Sequence, residues 1–455
     1  MKNPLSYFII PFVLIVTSCQ KFVEIDLPKN QITTTYVFED SVNTNAALAG
    51  IYVDMYQAFT LGFSSGGITA FTGLSSDELY HTANNQNQEF YAVNILPTNT
   101  TNLDLWTSAY KFIYEANACI EGIQNSNTLT EYQKNLFLGE ALTIRAFLYF
   151  NLTNLYGAVP LVLTTDYEKN RLLSRTDENE IYSQIIEDLQ SAKSLLPKTT
   201  NYNNTRAGHY AAAALLARAY LYTKNYDAAK DEASYVINSQ RFAIESDLNG
   251  VFKAHSKEII WGFAPVSPGR ETWEGYYFVP TSTTAVPTYV ITDELLNSFD
   301  DNDLRKHNWI RVNTNDGTDY PIPYKYKLNA MQTSVSERYS VLRLAEQYLI
   351  RAEAHAYLNE ISPAEDDVNI IKGRAGLLPV SGNIQPGLID LIQQERRWEM
   401  MCEWGHRWFD LKRTGLIDET LTPIKPNWRP TAQLFPIPQT EIDSNPNLSQ
   451  NDGYN

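Results

Sequence analysis

Apolar residues recur at three- and four-residue spacing over most of this chain. That period admits few folds other than a helical one. Leu105, Ala109, Phe112, Ala116, Ile120 and Ile123 form one stripe; Ile181, Ile185, Leu189, Ala192 and Leu196 form another. The second opens with Asp177 and Glu180 at capping-box spacing and is followed by Pro197. The spacing predicts helices over 104–123, 129–156, 178–196 and 208–238. Gly157 and Pro160 close the second of these. Within 206–238 a run of small residues, 211–219, precedes a turn at Lys224, Asn225, Tyr226 and Asp227. Leu216, Ala217, Tyr220 and Ala229 then fall at tetratricopeptide-like spacing. A looser copy runs from Leu344 through Ala352, Ala354 and Tyr357, and returns through Val368 and Ile371. The expected fold is mainly α, built from tetratricopeptide-like helical pairs.

One region breaks the pattern. The chain of 455 residues carries 29 Tyr, 19 Phe and 8 Trp, or 12% aromatics. Residues 261–326 are richer still in rings and hold twice the chain's average density of proline. Helical periodicity is lost there, apart from Asp293 to Phe299. This predicts a loop-rich insertion at about 250–340, between helical scaffold at 41–240 and 341–414, with a tail at 415–455. The whole of 41–455 reads as one domain. Long ordered loops in compact domains usually carry function. Residues 62–102, rich in Gly, Ser, Asn and Gln, predict a second irregular stretch.

Charge narrows the function. The 36 Lys and Arg stand against 52 Asp and Glu, a net charge of -16. Binding nucleic acid through its phosphates calls for the opposite balance. The N-terminus supplies an address. Lys2 precedes an apolar run from Leu5 to Val16, interrupted by Ser6 and Pro11 and too short to span a membrane. Val16, Thr17 and Ser18 then lead to Cys19, in the manner of a bacterial lipoprotein cleavage site. This predicts a signal peptide at 1–18, lipid on Cys19 and an extended tether at 19–40. Lipid is then the only expected membrane attachment. Cys119 and Cys402 sit in apolar helical patterns and read as buried free thiols.

Several short motifs occur together in a fixed order. Gly139-Glu140-Ala141 leads through Arg145 to Phe150, with an exit at Tyr156-Gly157-Ala158-Val159-Pro160. Arg343-Leu344-Ala345-Glu346 and Ala352-Glu353-Ala354 follow, then Lys372-Gly373-Arg374-Ala375-Gly376. Glu395-Arg396-Arg397-Trp398-Glu399 and Arg407-Trp408-Phe409-Asp410-Leu411 come next, before Pro436-Ile437-Pro438 and Asn445-Pro446-Asn447. With the lipoprotein start, this order resembles the SusD/RagB family of outer-membrane nutrient-uptake lipoproteins. The resemblance implies a surface protein that caps a SusC-like TonB-dependent transporter and captures glycans without catalysis. Some members take peptides instead. It also places Ser75 to His81 near the ligand, making Asp77 and His81 candidate hydrogen-bond partners.

The residues themselves supply the rest of a site. A sugar has an apolar C–H face for a Tyr or Trp ring and a hydroxyl rim for amides and charged groups. Trp273, Tyr276 and Tyr277 beside Arg270 form the best cluster, and Trp309 near Arg305 and Lys306 the next. Trp261, in a strand-like apolar run, reads as core. Asn84, Asn85, Gln86 and Gln88 follow His81 and suit a hydroxyl-rich ligand. Asp77 and Glu78 are the only pair that invites a glycoside-hydrolase reading. Adjacent acids point different ways, however, whereas glycosidases place two across the scissile bond. Glu399, Glu403, Arg407 and Asp410 are spaced for ion pairs along one helix. Glu403 and His406 alone are half of a di-metal motif. No cofactor or metal motif is complete, so neither is expected.

Overall fold

The apolar stripes become a row of antiparallel helices. The computed structural model describes residues 37–454 apart from 58–60, 199–203, 267–268 and 333. Cys19, the expected leader and most of the tether lie outside the described residues. The main helices are α1 (Ser41–Tyr56), α2 (Ile68–Ser75), α3 (Thr100–Asn125), α4 (Glu131–Tyr156), α5 (Glu178–Leu195), α6 (His209–Tyr222), α7 (Tyr226–Ile237), α8 (Trp273–Phe278), α9 (Leu344–Tyr357), α10 (Ile361–Arg374), α11 (Gln385–Glu399) and α12 (His406–Thr414). None of the described helices is long and apolar enough to cross a membrane.

From α3 to α7 each long helix packs on the one before it; α9 then packs on α7 and α10 on α9. The two tetratricopeptide-like pairs, α6–α7 and α9–α10, are thus neighbours in one row, although residues 238–343 separate them in sequence. Local chemistry explains the register. Thr130 and Gln133 form a reciprocal capping box at the start of α4. Gly157, at φ +72°, ends it, and a Cβ there would meet Leu434 at 2.9 Å. Asp177 caps α5 through the Asn179 N–H, at 2.9 Å. The alanines of α6 are wholly buried, which lets α5 and α7 approach its backbone. Tyr226 of α7 and Tyr357 of α9 stack at 4.2 Å and 10°, joining the pairs.

The insertion is not the long loop that its composition suggests. It holds strands and short helices, arranged with flanking segments into three two-stranded antiparallel sheets. β1 (Leu79–His81) pairs with β3 (Tyr289–Ile291), β2 (Ile259–Phe263) with β6 (Tyr339–Arg343), and β4 (Ile310–Asn315) with β5 (Thr318–Pro323). Every residue of β2, β3 and β6 is buried. Short strands covered on both faces show no polar–apolar alternation, so periodicity cannot reveal them. The same holds for α2 inside the expected irregular stretch at 62–102, where all eight side chains are buried. The β1–β3 pair ties that stretch to the insertion, matching Leu79 with Ile291 and His81 with Tyr289.

The charged segment at 396–413 is two helices rather than one. α11 ends at Glu399, and Cys402, Trp404 and Gly405 all take positive φ before α12 begins. Its charges therefore pair across the fold. Glu399 meets Arg343 at 2.5 Å and Arg305 at 3.1 Å, and also contacts Arg374. Glu403 meets Arg343 at 2.9 Å and Lys325 at 2.5 Å. Asp410 meets Arg396 at 3.1 Å and Arg413 at 2.7 Å. Cys119 and Cys402 are buried free thiols.

Candidate functional site

The ring cluster forms around α8. Thr272 caps this helix by accepting from the Gly275 N–H at 3.0 Å. Gly275 itself lies against the Leu328 carbonyl, where a Cβ would come within 2.3 Å. The Trp273 indole N–H donates to the Tyr56 carbonyl at 2.6 Å. Tyr277 stacks on Trp273 at 5.9 Å and 22°, and Tyr276 stands edge-on to Tyr277 at 5.0 Å. The Arg270 guanidinium lies 4.0 Å from the Tyr276 ring centre and 4.4 Å from that of Trp273. The four residues named from sequence do meet. Trp273, however, is only 1% exposed, so it is the foundation under Tyr277 and not a platform for a ligand.

Next to this cluster is an open cleft of about 580 Å³. Tyr277, Tyr289, Leu61 and Phe71 supply its apolar wall; Asn85, Gln86, Asn87, Thr101 and Asp104 supply its polar one. The amide loop is stapled to the start of α3. Gln86 Nε2 donates to Thr101 Oγ1 at 3.0 Å, and Gln86 Oε1 accepts from Thr100 Oγ1 at 2.9 Å. Thr101 Oγ1 donates to Asn87 Oδ1 at 3.2 Å. Asn85 Oδ1 accepts from the Asn87 N–H at 2.9 Å. The Asn85 NH2 group and the Asp104 carboxylate have no hydrogen-bond partner among the described residues. Asp104 is exposed on α3, and partial burial raises its carboxyl above the usual range. The cleft thus offers a ring face, an amide donor and a carboxylate acceptor, on a loop already fixed in place.

Other sequence candidates go elsewhere. Trp309 is wholly buried, its indole N–H donating to the Leu248 carbonyl at 3.0 Å. Lys325 lies 4.5 Å from its ring centre, with Arg374 and Arg343 just beyond. It roofs the Glu399 charge network and presents no face to a ligand. Asp77 is also buried. It bonds Arg397 at 2.7 Å and Arg407 at 2.8 Å. Burial pushes its carboxyl up, but the Arg407 and Arg397 charges outweigh this and hold it at about 2. Glu78 points differently, accepting from the Cys402 N–H at 2.9 Å, and burial pushes it up to about 7. Neither acid reaches the cleft. His81 is buried behind it, with Nδ1 2.8 Å from the Ala83 carbonyl and its ring edge-on to Tyr289 at 5.0 Å. Burial lowers its pKa, which favours the uncharged ring. Asn84 is exposed but does not line the cleft. Gln88 holds its own loop through the His81 and Ala83 carbonyls. Trp261 is core, as its apolar run implies.

Two family profiles match in tandem. One, described as starch-binding and associating with the outer membrane, covers residues 21–221; the other, the SusD family, covers 272–454. SusD-like protein P2 of Formosa agariphila is 30% identical over 77% of this chain and 80% of its own length. The chain belongs to the SusD/RagB family. SusD-like protein P25 of the same organism is 24% identical over 96% of both chains. Among solved structures, a SusD superfamily protein of Bacteroides vulgatus superposes with a TM-score of 0.82 at 21% identity, covering 91% of this chain and 99% of its own. A laminarin-binding SusD-like protein does so at 0.75 and 22%, with the same coverage.

In this SusD/RagB protein the cleft's Leu61, Phe71, Asn87, Thr101, Asp104 and Tyr289 are not among the residues that the sequence marks as candidates. Tyr289 is one ring among many in the insertion, and nothing local distinguishes it. Thr101 and Asp104 had a signal: a polar helix start that follows the amide-rich loop after residues 89–99.

Proposed function

We propose that this protein captures oligosaccharides at the cell surface and delivers them to a partner SusC-like TonB-dependent transporter, without catalysis or cofactor. Lipid on Cys19 would hold it to the outer membrane. The observation that carries the reading is the cleft beside Tyr277. One tyrosine ring, backed by a buried tryptophan, faces a space edged by a preset amide loop and a carboxylate. That combination suits the C–H face and hydroxyl rim of a sugar. Family membership and a laminarin-binding structural neighbour support the same class of ligand. Hydrolysis has no support at this site, since among the described lining residues Asp104 is the one acid and glycosidases work with two.

Isothermal titration with glycan and peptide panels tests the reading. Saturable glycan binding is expected, and Tyr277→Ala should weaken it by roughly 1–3 kcal/mol with the fold retained. Saturable peptide binding with a silent glycan panel would replace oligosaccharides by peptides as the cargo.

A further inference from the structure

The capture cleft contains one ionised side chain, and it is an acid. Among the described residues that line it there is no Lys, Arg or His. Asp104 has no ion pair or hydrogen bond among the described residues, so its charge is not neutralised by the fold. Burial is the only influence on its pKa, and no cation offsets it. The rest of the molecule adds a field of the same sign, with a net charge of -16.

We propose that Asp104 makes this cleft selective for uncharged, hydroxyl-rich chains and turns away glycans that carry carboxylate or sulfate groups. The proposal rests on the capture reading above. An ionised carboxylate accepts from sugar hydroxyls in charge-assisted bonds, which are shorter and stronger than neutral ones. The same charge repels an anion brought within a few ångströms, well inside the distance over which salt screens. The Asn85 amide, on the loop bonded to the start of α3, supplies the donor that a hydroxyl's lone pair needs. Arg270 is the one group that could reverse the choice. Its charge reaches Tyr277, but its guanidinium covers the Tyr276 and Trp273 rings and does not line the cleft.

The test is isothermal titration of the full chain against neutral oligosaccharides (laminari-, malto-, xylo- and manno-) and against oligogalacturonates and sulfated oligosaccharides of matched length. Binding is expected from the neutral half alone, with affinity insensitive to salt. Asp104→Asn should weaken it about tenfold, and Asp104→Lys should admit at least one anionic chain. Wild-type binding of an anionic chain that Tyr277→Ala abolishes would overturn this inference while leaving the capture reading intact. If Arg270→Gln abolished that binding too, Arg270 would be the charge selector. Unchanged neutral affinity in Asp104→Asn would also overturn the assignment. Silence of every glycan would remove the capture reading and this inference together.

Discussion

Trp309 lies over Lys325, Arg343 and Arg374, which bind a set of buried carboxylates. Tyr277 carries a comparable ring at the edge of an open cleft, beside a carboxylate that nothing binds. Rings and acids stand together in both places. At the Trp309 junction each charge has a partner from a distant part of the chain. Arg343 alone bonds Glu258, Glu399 and Glu403. Burial raises the Glu399 pKa, but Arg374, Arg343 and Arg305 outweigh it and hold the carboxyl well below its usual range. In the cleft, hydrogen bonds fix the loop and leave a few groups unbonded. The difference teaches that aromatic and charged residues indicate a ligand site only where the fold leaves them unpartnered.

The contrast can be broken at several points. Arg343→Met should have the largest effect. It strands buried carboxylates without their cation, at a cost of about 3–5 kcal/mol in urea unfolding. An unchanged midpoint would mean that the junction does not hold the fold together. Trp309→Ala should follow, losing about 3–5 kcal/mol through a core cavity while the folded protein keeps its glycan affinity. Loss of affinity with full stability would return Trp309 to the list of binding residues.

Acid titration probes Asp77. Its carboxyl is held at about 2 in the fold against an ordinary 3.8. A depressed folded value means that the unfolded chain takes up the proton first. The contribution is therefore full well above 3.8, fades as pH falls through 3.8 and is lost as pH falls through about 2. It amounts to about 2 kcal/mol. Unfolding free energies measured down this range should slope less in Asp77→Asn, and identical slopes would separate Asp77 from acid stability. The smallest effect belongs to the loop staple. Thr101→Val removes its bonds to Gln86 and Asn87 and should cost about 1 kcal/mol of ligand affinity. Equal affinity would show that the loop is fixed without it.

Much of the scaffold is legible in the residues alone. The expected helices over 129–156 and 178–196 match α4 and α5 to within two residues, because their caps and stripes are local. The helix–turn–helix over 208–238 is legible for the same reason. β2 shows in the sequence as a strand-like apolar run around Trp261, but β3 and β6 do not show, since complete burial erases the period that would mark them. The site was half legible. Residue type marks Tyr277, Asn85 and Gln86, while Asp104 and Thr101 are less conspicuous in sequence than Asp77, which the fold buries.

The sequence by itself determined the row of helices, their ends and the family, because periodicity, capping and motif order are properties of neighbouring residues. Only the tertiary structure decided which rings and acids face solvent. Trp273 is covered through Tyr56, Trp309 sits on Lys325, and Asp77 is neutralised by Arg397 and Arg407 from the far end of the chain. Desolvation and ion pairing depend on partners that no local pattern names, and those partners leave Tyr277 and Asp104 open to a ligand.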